Sequence, residues 1–167
     1  MATIENLAER VVRKTAPDQV GELRIVAQGF FGSDHVRNRV VNSVLVGGGG
    51  AAPVGVDAVS GTLIVQTALV LLQAVATDTA SDLIRDQAGN GLSWWRRRRA
   101  ARALHRAGRT VTATTEMPAV SAKDALLLAE IGRGIVERSG GSKETADLFA
   151  IVFAAEVCPQ AREIDER

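Results

Sequence analysis

"AVSGTLIVQTALVLLQAVA", residues 58–76, carries no charged side chain over 19 positions, and its reading decides the fold. At the helical rise such a run is just long enough to cross a hydrocarbon layer, so one reading is a membrane helix. The other is the central helix of a helical bundle. At about 100° per residue, Thr62, Gln66, Gln73 and Thr77 share a narrow wedge, while Leu63, Ile64, Leu71, Leu72 and Val75 lie opposite. Unpaired amides are costly in lipid and in a protein core alike, so Gln66 and Gln73 are expected to make polar contacts between helices. Asp78, Ser81, Asp82, Arg85 and Asp86 continue the helical spacing as far as "AGNG", residues 88–91. The pattern therefore predicts one long helix over 58–86.

Upstream of it, "GGGGAAPVG", residues 47–55, should interrupt any helix, because glycine is entropically costly to order and proline lacks a donor. It is expected to be a flexible loop. A phosphate-binding role is disfavoured, since no Gly-Lys-Ser/Thr follows and the next lysine is Lys123. Nearer the start, Ile4, Leu7, Ala8, Val11 and Val12 form one helical stripe behind Thr3 as N-cap. A second helix, with Val20, Leu23, Ala27, Phe30 and Phe31 on one face, and a third from about His35 to Leu45 are separated by the stop and cap at Gly32, Ser33 and Asp34.

Downstream, residues 109–118 are β-branched and polar and read as an extended connector or a short strand. Residues 121–157 read as a helical hairpin. Ser121 with Asp124 caps its first helix, whose core stripe is expected at Leu127, Leu128, Ile131 and Ile135. Ser142 caps the second, where "LFAIVFAA", residues 148–155, is apolar on every side and should be buried in the core or against a partner. These patterns predict an all-α chain, a single helical domain over 1–167 with five or six helices.

Charge is segregated along the chain although its net value is +1. Residues 88–115 hold seven arginines and no acid, between two acidic stretches. Within that segment, 91–109 reads "GLSWWRRRRAARALHRAGR". On a helix, Trp94, Arg97, Ala101, Leu104 and His105 lie toward one side, and Arg96, Arg99, Arg102, Arg106 and Arg109 spread over the rest. This basic amphipathic pattern suits an anionic membrane surface, with Trp94 and Trp95 at headgroup level and Arg96, Arg97, Arg98, Arg99, Arg102 and Arg106 on lipid phosphates. Nucleic acid is a weaker candidate, because the rest of the chain is acidic and no helix-turn-helix, zinc-finger or RNA-binding signature occurs. A third account is internal, with the tryptophans in the core and the arginines paired to acids of the C-terminal hairpin.

No catalytic, cofactor or metal constellation is legible. The two histidines, His35 and His105, have no second ligand at metal spacing in their own helices, and Cys158 has only Arg162 near it in sequence. No GxSxG, HExxH or CxxC is present. His35 is expected at the surface. The lone cysteine and the charged first twenty residues suggest a cytoplasmic setting, with membrane association possible. The sequence points to a non-catalytic, self-associating helical protein acting at a membrane, with a soluble homo-oligomeric adaptor and a small nucleic-acid-binding protein as the alternatives.

Overall fold

A computed structural model describes residues 2–46, 62–87 and 94–158. They form eight α-helices, two 3-10 turns and no strand. In chain order the helices are α1 Ile4–Thr15, α2 Val20–Gly32, α3 Asp34–Val46, α4 Leu63–Ala76, α5 Ala80–Gln87, α6 Trp94–Ala107, α7 Ala122–Arg138 and α8 Lys143–Val157. The all-α expectation is met, with eight helices where five or six were expected. The Gly-rich stretch 47–55 lies outside the described residues.

The uncharged run resolves as α4. Every residue from Leu63 to Val75 is buried, because α1, α2, α3, α5 and α7 pack around it. Its length, about 21 Å at the helical rise, falls short of a hydrocarbon layer of about 30 Å. Among the described residues no helix is long and apolar enough to cross a membrane. The alternative left open for 58–76 is therefore answered by packing: 63–76 is a core helix of this chain.

The predicted continuous helix over 58–86 is broken after Ala76. Asp78 adopts φ +61°, a left-handed turn that aspartate tolerates better than most residues. The Thr77 N–H bonds the Gln73 carbonyl at 3.0 Å and the Thr79 N–H reaches back to the Ala74 carbonyl at 3.0 Å, closing the end of the helix in the manner of a Schellman cap. At the other end of α4, the Ile64 N–H donates to Gln19 Oε1 at 3.2 Å. A buried glutamine thus satisfies an end that Thr62 does not cap.

The α1 stripe is as expected, with Ile4, Leu7, Ala8, Val11 and Val12 buried and Thr3 Oγ1 accepting from the Asn6 N–H. The connector after α6 runs back to this helix. Thr3 pairs with Glu116 in a single antiparallel bridge, and the carbonyls of Thr115 and Ala113 accept from the Ile4 and Glu5 N–H groups at 3.1 and 3.0 Å. Two donors that the first turn of a helix leaves unpaired are satisfied by a distant segment.

The hairpin forms as α7 and α8, capped by Ser121 and Ser142. Leu128, Ile131 and Ile135 enter the core, but Leu127 is exposed, because the buried arc is centred on Ala125, Leu128 and Gly132. The α8 run is buried on one side only, through Phe149, Ala150, Phe153 and Ala154. Gly132 lets the two helices approach closely. A Cβ there would collide with the ring of Phe149 and stand 3.0 Å from Leu71 Cδ1. Gly132→Ala is expected to cost about 1–3 kcal/mol through overpacking, read as a lower midpoint in denaturant unfolding; an unchanged midpoint would show that the seam can yield.

Candidate functional site

The basic segment forms α6, which lies along α3. Ala101 and Leu104 are buried at this seam, and Arg97, Ala100 and His105 are half-buried. Arg96, Arg98, Arg99, Arg102 and Arg106 are exposed. Trp95 is 71 % exposed and starts a line that continues at Arg99, Arg102 and Arg106. These spacings of four, three and four keep one helical face and span about 16 Å of axis. The side chain of Trp94 lies outside what the structure describes.

The internal account would place both tryptophans in the core and pair the arginines with acids of the hairpin. Among the described residues, Arg96, Arg99, Arg102 and Arg106 form no ion pair. Arg109 stands 3.8 Å from Asp34 of α3 rather than an acid of the hairpin. Where α6 nears the hairpin it meets a like charge, since burial first and then Arg97 hold the Arg138 guanidinium below its ordinary value. Trp95, far from filling the core, sits on the cationic side.

What ties α6 to the core is a buried polar knot in which Gln73 was expected and Arg37 was not. Arg37 of α3 is only 2 % exposed. Its Nη1 donates to the Phe30 carbonyl at 3.3 Å, near the C-terminal end of α2, where a cation is favoured by the helix dipole. Its Nη2 binds the Asp34 carboxylate. Gln73, fully buried on α4, donates from Nε2 to the Leu104 carbonyl of α6 at 2.6 Å. The two side chains converge on Gly108, where a Cβ would stand 2.5 Å from Gln73 Nε2 and 2.7 Å from Arg37 Cδ. Only a glycine lets the chain leaving α6 pass between them.

Of the two glutamines expected between helices, Gln73 holds that role and Gln66 does not. Gln66 turns onto its own helix, donating to Thr62 Oγ1 at 2.8 Å, because a side-chain hydroxyl lies one turn away. His35 is exposed. Cys158 is buried as a free thiol. Among the described residues no group of three His, Cys, Asp or Glu side chains could hold a metal ion.

His105 sits where α6 meets Arg37 and Asp34 of α3 and Arg109 beyond its own C-terminus. Burial, then Arg37, lowers its pKa, with Asp34 opposing and Arg109 adding to the fall. Its Nδ1 has no hydrogen-bond partner among the described residues. No family model matches the chain, and neither a curated protein nor a solved structure does.

Two outcomes follow for this knot. Gly108→Ala must displace Gln73 or Arg37 and is expected to lose about 1–3 kcal/mol, with α6 amides exchanging faster in hydrogen-exchange experiments; unaltered α6 protection would contradict the close approach. For His105 the folded state binds its proton less readily than the unfolded state. Stability is therefore full above the ordinary histidine value and declines as pH falls through the window below it, down to the depressed folded pKa. His105→Gln should flatten that part of the stability–pH curve, measured by urea unfolding at stepped pH.

Proposed function

We propose that this chain is a non-catalytic protein that docks peripherally on an anionic membrane surface through the outer face of α6. Trp95 lies at headgroup level, and Arg96, Arg98, Arg99, Arg102 and Arg106 meet lipid phosphates. The observation that carries the reading is the alignment of an exposed tryptophan with Arg99, Arg102 and Arg106 on one outward line. The apolar side of α6 is engaged with α3, and α4 is enclosed, so neither is available to insert while the fold is intact. Contact is then electrostatic adsorption with one aromatic anchor, rather than immersion of an apolar helix face.

Adsorption of this kind is worth about 1 kcal/mol per cation near the surface and weakens with salt. Replacing Arg99, Arg102 and Arg106 with Ala removes three such contributions and should lower vesicle affinity about 100-fold. All three are exposed, so the helical circular dichroism should be unchanged. Co-sedimentation with phosphatidylserine-containing vesicles, compared with purely zwitterionic ones, measures this, and Trp95→Phe should reduce the emission shift on binding. A protein that stays in the supernatant, or a triple variant that binds as well as the parent, ends the membrane reading. If the parent instead retains a single-stranded oligonucleotide and ignores vesicles, the phosphates it recognises belong to nucleic acid.

A further inference from the structure

The outer face of α8 is apolar where a solvated helix would carry charge. Leu148 and Ile151 are 42 % and 58 % exposed, and Val152 and Ala155 are half-buried. Spacings of three, four and seven set these four on one stripe, turned away from Phe149 and Phe153, which close the core. A contiguous stripe of this kind marks a contact surface, unlike a single exposed apolar residue such as Ile25 of α2.

We propose that this stripe is the contact of a two-fold dimer, α8 packed antiparallel against α8 of a second copy of this chain. The residues are self-complementary in that arrangement. A two-fold axis between Ile151 and Val152 sets Leu148 against Ala155 of the second copy and Ile151 against its Val152, so the longest side chain meets the shortest and the seam fills evenly. Parallel helices would place Leu148 against Leu148 and leave a gap between the two Ala155 side chains.

Charge along the same face selects the same direction. Glu144 is exposed at the N-terminal end of the stripe, where Asp147 is half-buried and stands 3.8 Å from Arg133 of α7. Arg10 and Lys14 of α1 flank its C-terminal end, both reaching Glu156, Arg10 at 3.4 Å. Antiparallel pairing turns each acidic end toward the cationic end of the other copy, whereas parallel pairing stacks like on like. An anionic lipid surface would be repelled by Glu144 and would find no cation along the stripe itself, so this face does not suit the partner assigned to α6. The surface is also rigid, because α8 is locked to α7 at the Gly132–Phe149 contact, and little ordering cost accompanies association.

Size-exclusion with light scattering and sedimentation velocity on the full chain, from low micromolar to millimolar concentration, tests the pairing. A dimer is expected, and Ile151→Glu should convert it to monomer with its helical dichroism retained. Should that variant lose structure, Ile151→Cys provides a second readout: near the axis it should form an intermolecular disulfide on mild oxidation, while Ile25→Cys on α2 should not. A monomer at every concentration overturns the proposal. So does a dimer that survives both Leu148→Glu and Ile151→Glu, or that cross-links through Ile25→Cys as readily as through Ile151→Cys. Vesicle binding by α6 is read separately and can fail without affecting this result.

Discussion

Enclosure of α4 is the constraint on which the rest of the structure depends. A helix apolar around its whole circumference has no side that water can occupy, so the chain must supply neighbours on every flank. It does so with α1, α2, α3, α5 and α7. Each turns a mainly apolar face inward and keeps its charges outside, with Arg37 of α3 as the buried exception. The order of the helices matters less to this arrangement than the fact that one of them carries no charge. Thirteen consecutive buried positions leave no direction from which solvent could reach its backbone.

Polar side chains bond both ends of α4 and tie its side to a neighbour. Gln19 satisfies its first turn, the hydroxyls of Thr77 and Thr79 bond carbonyls of its last, and Gln73 reaches out to the Leu104 carbonyl. That last bond ties the basic helix to the core, and it shares its surroundings with Arg37 and Gly108. The wedge of polar residues on α4 is thus no lipid-facing defect. It supplies an anchor for α6, and through α6 it fixes which arginines face outward.

The stripes of α1 and α2, the extent of α3 and the capped hairpin could be read from spacing, because each obeys a local rule that tertiary packing reinforces. The division of 58–86 could not, since the stop is made by Asp78 in a left-handed conformation where a glycine would have signalled it. Arg37 was equally hidden. An arginine on a short polar helix reads as solvated, and only the approach of α4 and the end of α2 makes it a buried capping group. Leu127 and the outer residues of α8 show the converse limit: apolar composition gives the amount of surface to be covered, whereas the helix phase set by neighbours decides which part remains open. For α6, spacing separated Ala101 and Leu104 from the arginines correctly, but the placement of its tryptophans was undetermined, since adjacent positions on a helix point about 100° apart.

Among the described residues, Arg99, Arg102 and Arg106 of α6 repel one another with no ion pair to offset it. Arg99 and Arg102 are three residues apart and Arg102 and Arg106 four, spacings at which like charges destabilise a helix by a few tenths of a kcal/mol each. Beneath them, Arg37, Arg109 and a protonated His105 would share one nearby carboxylate, Asp34. A chain needing these cations only for its own balance would set acids among them, and it has acids enough on α7 and α8 to do so. Instead Arg99, Arg102 and Arg106 line one outward face with Trp95, the face proposed above to meet an external anion. The two surfaces differ in chemistry: the outward line of α6 is cationic, whereas the exposed stripe of α8 is apolar, with Glu144 at one end and Arg10 and Lys14 flanking the other.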